Sequence, residues 1–140
     1  MAENKTVKSN YLYYTADNRQ TNFGKLPGHY QGAILDEANV QLRAYQLSDT
    51  YKDIANDSEN EKKILAHFCE KYAADEKKYK ELAIRSSQEL YRYPLSKDRN
   101  EYRERCAKAI SKKIDASARV NNHQKPTIEM LINKSKFNQR

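Results

Sequence analysis

Apolar positions recur along most of this chain with helical rather than strand spacing, and long stretches run without a glycine or proline. The few punctuating residues are Gly24, Pro27, Gly28, Gly32, Pro94 and Pro126. Between them, residues 33–55 predict a first helix. At about 100° per residue, Ile34, Leu35, Ala38, Leu42 and Tyr45 fall on one side, while Val40, Ala44, Leu47, Tyr51 and Ile54 fall on the other. A helix that is apolar on two faces needs cover on both. The second cover is expected from the N-terminal arm, the C-terminal segment or another molecule.

Ser58 followed by Glu61 forms a capping-box pattern and predicts a second helix reaching Tyr91, roughly 50 Å long. Its stripe is Leu65, Phe68, Cys69, Tyr72, Tyr79, Ala83 and Leu90. Glu76 and Ser86 interrupt that stripe and mark where the seam opens, bends or leaves the bundle. Ser96 or Asp98 can cap a third helix to Val120, with Tyr102, Cys106, Ala109, Ile110 and Val120 as its apolar side. After Pro126, Thr127 can cap a short fourth helix carrying Ile128, Leu131 and Ile132. Residues 1–32 lack a helical period and read as an arm, with a short hairpin near Tyr11 to Thr15 as an alternative. The fold class expected is all-α: an up-down-up bundle of three long helices, with an irregular Tyr-rich N-terminal arm and a short C-terminal helix. Three segments follow: an arm (1–32), a helical bundle (33–122) and a basic C-terminal segment (123–140).

Composition qualifies this picture. Leu, Ile, Val and Phe together make up 24 of 140 residues, too few for a core built on them alone. Eleven tyrosines offset the deficit, since each buries a large ring while keeping a polar tip. Tyr72 and Tyr79 lie on the stripe of the second helix and are read as core. No export signal or membrane-length apolar run is visible, so a cytoplasmic protein that does not enter membranes is expected, with Cys69 and Cys106 as reduced thiols.

Charge changes the functional expectation most. The net charge is +7, yet residues 91–140 hold 13 Lys/Arg against 5 Asp/Glu, a surplus of 8. Such asymmetry points to a polyanionic partner. Arg92, Lys97, Arg99, Arg103, Lys108, Lys112, Lys113, Arg119, Lys125, Lys134 and Lys136 are the candidate phosphate contacts, with Tyr91, Tyr93 and Tyr102 as candidates to stack bases. Part of that charge has an acid one helical turn away: Glu101 with Arg105, Glu104 with Lys108, and Asp115 with Arg119. The leading expectation is a small non-enzymatic helical protein that binds the nucleic-acid backbone without sequence specificity. The alternative is a protein-interaction or assembly subunit, such as part of a large complex or virion, or an inhibitor from a phage or mobile element. Its interface would use Tyr11, Tyr13, Tyr14, Leu47, Tyr51 and Ile54, and an acidic protein surface would serve as partner.

No cofactor is implied, and no catalytic set of nucleophile, base and stabiliser can be assembled. His67 and Cys69 are two residues apart on a helix and point away from one another, which argues against a shared metal. Glu76, the one acid considered for a catalytic role, is better placed to pair with Lys80 at i+4.

Overall fold

The computed structural model describes residues 11–15, 21–120 and 126–137, with side chains described as far as residue 132. Six helices are present among them and no strand: α1 (Gly28–Leu47), α2 (Lys52–Ala55), α3 (Ser58–Ala73), α4 (Glu76–Arg92), α5 (Ser96–Val120) and α6 (Ile128–Phe137). The all-α expectation holds. Three long helices in series do not, because the first and second predicted helices are each divided.

Helix α1 begins earlier than its apolar pattern suggested, inside the segment assigned to the arm. The Pro27 carbonyl accepts from the amides of Tyr30 and Gln31, and the Gln31 side-chain amide donates to the carbonyls of Phe23 and Leu26, folding the turn-rich stretch onto the helix start. The helix ends at Leu47 because the Ser48 hydroxyl accepts from the amides of Thr50 and Tyr51, replacing helical bonding with a side-chain turn. Tyr51 and Ile54 kept the apolar period across this turn, which made one helix look continuous. Tyr51 is fully buried, with its ring edge-on to Tyr45 at 5.2 Å.

The predicted second helix breaks between α3 and α4, next to the polar interruption at Glu76. Asp75 caps α4 by accepting from the Lys78 amide, while Glu76 sits exposed in the first turn and pairs with Lys80 at 2.7 Å. The cap of α3 also differs from the capping-box expectation. Asp57 accepts from the Asn60 amide, and Glu61 instead accepts from the Gln46 side chain at 2.7 Å. Asp precedes Ser58 in sequence, and a carboxylate near a helix N-terminus is favoured by the helix dipole.

Helix α1 is the axis of the molecule, with α3, α4 and α5 all packed on it. Pairings place α3 in the opposite direction: Gln46 meets Glu61, Tyr45 lies against Phe68, and Glu37 acts on Tyr72. Helix α5 runs alongside in the same direction as α1, through Asp36 with Arg103, Arg43 with Glu104, and Ser48 with Asp115. The second cover that α1 required is therefore internal and comes largely from α5. The core joins Phe23, Ile34, Leu42, Tyr45, Ile64, Phe68, Cys69 and Tyr72, and Leu131 of α6 closes it against α3.

The buried side of α5 is not the predicted stripe. Ala107, Ser111, Ile114 and Ala118 face inward, whereas Ala109 and Val120 are exposed and Cys106 and Ile110 only half-buried. Small residues let α5 lie close along α1 in the most extensive helix pair of the fold. The bulkier residues had pointed to the wrong side.

Two substitutions test this packing. Ala107→Leu inserts volume into a fully buried position and is expected to lower stability by about 1–3 kcal/mol, whereas Ala109→Leu on the exposed side should change it by under about 0.5 kcal/mol. Gly32→Ala should raise stability by about 0.5–1 kcal/mol, because Gly32 lies inside α1 and nothing lies within 4 Å of a Cβ added there. Urea denaturation of the three variants reads both expectations.

Candidate nucleic-acid interface

The basic residues of α4 and α5 divide into those that hold the fold together and those that remain available. Arg103 belongs to the first group. Its Nη2 lies 3.2 Å from Asp36 Oδ2 and 3.0 Å from Glu89 Oε1, and its Nε donates to the same Glu89 oxygen. The Tyr11 hydroxyl donates to the other Asp36 oxygen at 2.8 Å, so one cluster ties the arm, α1, α4 and α5 together. With only 20% of its side chain exposed, Arg103 is removed from the phosphate candidates. Arg99 is likewise engaged. Its Nη1 donates to the carbonyls of Tyr93 and Pro94 at 2.9 and 3.0 Å, fixing the joint between α4 and α5.

Two of the three acids expected to neutralise α5 from within also point elsewhere. Glu104 makes a forked pair with Arg43 of α1, Nε to Oε1 and Nη2 to Oε2 both at 3.0 Å, rather than reaching Lys108. Asp115 accepts from the Ser48 hydroxyl at 2.6 Å and from the amides of Asp49 and Thr50 at 3.1 Å each, rather than reaching Arg119. No ion pair joins Glu101 to Arg105 among the described residues. Lys97, Arg105, Lys108, Lys112 and Arg119 therefore form an exposed ridge within an arc of about 80°, with the exposed Glu101 on the same arc. Lys97 to Arg119 spans roughly 33 Å at about 1.5 Å per residue. Lys113 is exposed on the outer side of the same helix.

At one end of the ridge, the three stacking candidates come together. Tyr93 and Tyr102 stack with centroids 5.0 Å apart at 28°, and the Arg105 guanidinium lies 5.9 Å from the Tyr102 ring centre. The Tyr102 hydroxyl is drawn into a hydrogen bond with Cys106 that raises its pKa. Tyr91 stands 92% exposed. A groove of about 630 Å³ is lined by these rings with Arg85, Arg92, Ser87, Gln88 and Glu89.

The residues expected at a partner interface are largely used internally. Tyr51 is core, and Leu47 and Ile54 pack half-buried against it. Tyr11 is bound to Asp36, and Tyr14 donates to Glu70 at 2.8 Å, its hydroxyl pKa pushed up to about 12 by burial and by that carboxylate. Asn39 reinforces the arm by bonding both the amide and the carbonyl of Leu12. These contacts replace the hairpin alternative. Only Tyr13 of the cluster points outward, 77% exposed with its edge on Tyr11. Lys125 lies outside the described residues, and Lys134 and Lys136 fall in α6 with their side chains outside the description. No group of three potential metal ligands occurs among the described residues, and no described helix is long and apolar enough to cross a membrane.

Asp115 offers a pH test of this arrangement. Burial alone would raise its pKa, but the bonds from Ser48, Thr50 and Asp49 outweigh burial and hold the carboxyl below its ordinary value. A carboxylate depressed by folding contributes fully above its unfolded pKa of about 3.9, and that contribution is lost as pH falls through the lower folded value. Asp115→Asn is therefore expected to lower stability at neutral pH and to flatten its decline below about pH 4, read by urea denaturation across that range. No protein-family model, curated protein or solved structure matches the chain.

Proposed function

We propose that this is a non-enzymatic helical protein that binds nucleic acid through its phosphates, with the ridge of α5 as the contact surface. The observation that carries the reading is the diversion of Glu104 and Asp115 onto α1 and the turn after it, which leaves Lys108 and Arg119 without the acids their spacing had suggested. An exposed line of cations along one helix face favours an extended polyanion. Three of the five ridge cations are lysines, which supply point charges rather than a fork that reads base edges, and this supports backbone positioning over sequence recognition.

A second reading, as an assembly subunit, is favoured by a different observation. Ile84, Leu90 and Leu95 are large, apolar and exposed on and just beyond α4. Association with a protein partner through these residues would survive nuclease and high salt.

The test of the first reading is affinity for labelled duplexes of unrelated sequence. With about four phosphate contacts, affinity should fall roughly a hundredfold between about 50 and 200 mM salt. The combined Lys108→Glu, Lys112→Glu and Arg119→Glu variant should weaken binding to every sequence alike and flatten the salt slope. Binding insensitive to both changes would exclude the ridge.

A further inference from the structure

The groove beside the ridge differs from it in chemistry. A line of cations suffices to hold phosphates, yet here three tyrosines converge where the ridge begins, and one of them carries no packing role. Tyr91 occupies the penultimate position of α4 with its ring almost wholly in solvent. Tyr93 is held by the Arg99 bonds to its own carbonyl and that of Pro94, so its ring is fixed against Tyr102. Glu89 lines the same groove, but its carboxylate is engaged by Arg103. The remaining charged groups at the rim are Arg85, paired at 3.5 Å with Glu37, and Arg92, which is exposed. The groove thus combines flat aromatic faces with a cationic rim.

We infer that this groove receives an unpaired nucleobase, stacked on Tyr91 and the Tyr93–Tyr102 pair, while the adjoining phosphates run onto Arg105 and the ridge. This rests on the phosphate-binding reading above and makes single-stranded nucleic acid the preferred ligand. Bases within a duplex already stack on one another and leave no ring face for tyrosine; an unpaired base offers both. Continuity is given by Arg105, which lies over the Tyr102 ring on one side and belongs to the ridge on the other. The volume lies within the range of small-ligand sites, roughly 300–1,000 Å³. A proline-rich peptide is the other occupant that aromatic grooves take, but it would draw little from the cationic rim and ridge.

The test compares labelled oligo-dT, oligo-rU and a duplex of the same length, about 15 nucleotides, by fluorescence anisotropy. Wild type should bind the single strands more tightly than the duplex. Tyr91→Ala should lower single-strand affinity about tenfold and leave the duplex unaffected, and Tyr91→Phe should retain the wild-type preference. Because Tyr91 is so exposed, both variants should melt like wild type. Binding of both oligonucleotides assigns the shared chemistry of base and phosphate, whereas binding of one alone identifies the sugar hydroxyl or the thymine methyl as a further determinant. The inference is overturned if the single strands fail to bind, if they bind no better than duplex, if Tyr91→Ala has no effect or weakens both forms equally, or if Tyr91→Phe loses as much as Tyr91→Ala. Capture of a proline-rich peptide in place of oligonucleotides overturns it as well. The charge-reversed ridge variant separates the two claims: equal loss on single strands and duplex supports the ridge, and the Tyr91 variants then judge the groove alone.

Discussion

Because α1 is apolar on two opposite faces, it cannot lie on the surface of anything, and the rest of the molecule is arranged to enclose it. Helix α3 covers one flank with the large side chains Ile64, Leu65, Phe68 and Tyr72; α5 covers another mostly with small ones, Ala107, Ser111 and Ala118 beside a single Ile114. The difference has a physical origin. A large side chain fills the space between helices held apart, while small ones let the helices approach and leave the joining to groups at the edges of the contact. Arg103, Glu104 and Asp115 are those groups. Each reaches from α5 to α1 or to the turn at its end.

This requirement also shapes the electrostatics of the surface. A helix stabilised by its own i,i+4 pairs would present nearly balanced charge to solvent, each pair contributing a few tenths of a kcal/mol. Here two of the three acids in those positions turn towards α1, where hydrogen-bonding partners are preorganised and solvent screening is lower. The cations they would have balanced remain outside. Covering α1 and exposing the ridge are thus one arrangement seen from its two sides.

Much of this was legible in the sequence, and the failures have specific causes. The two-faced pattern of α1, the extent of α5 and the Thr127 cap of α6, where the hydroxyl accepts from the Met130 amide, follow from local spacing and cap chemistry. The break after Leu47 was hidden because Ser48 acts through its hydroxyl while Tyr51 preserves the apolar period. The buried side of α5 departs from the apolar stripe because side-chain size is a poor guide to burial where two helices approach closely. The sequence Arg103–Ala107–Ser111–Ile114–Ala118 repeats at helical spacing, but only its partner helix explains why small residues belong there. Tyr91, Tyr93 and Tyr102 could be proposed together from proximity in sequence; the fixing of Tyr93 by Arg99 could not, because it depends on the conformation of the joint.

The joining of separate helices falls to arginine, and this follows from the same chemistry. Arg43, Arg85, Arg99 and Arg103 all bind groups of the protein itself, and three of them pair with carboxylates. A planar guanidinium can bridge two acceptors at once, as Arg103 does between Asp36 and Glu89, and it sheds water more readily than an ammonium. Lys97, Lys108, Lys112 and Lys113 stay exposed, as do Arg92, Arg105 and Arg119. A strongly hydrated ammonium on a flexible stem is poorly suited to joining helices, but it can follow the varying positions of phosphates. Exchanging the two residue types would therefore have unequal consequences: lysine at position 103 would lose the bridge that joins α1, α4 and α5, whereas arginine at position 112 would retain the charge of the ridge.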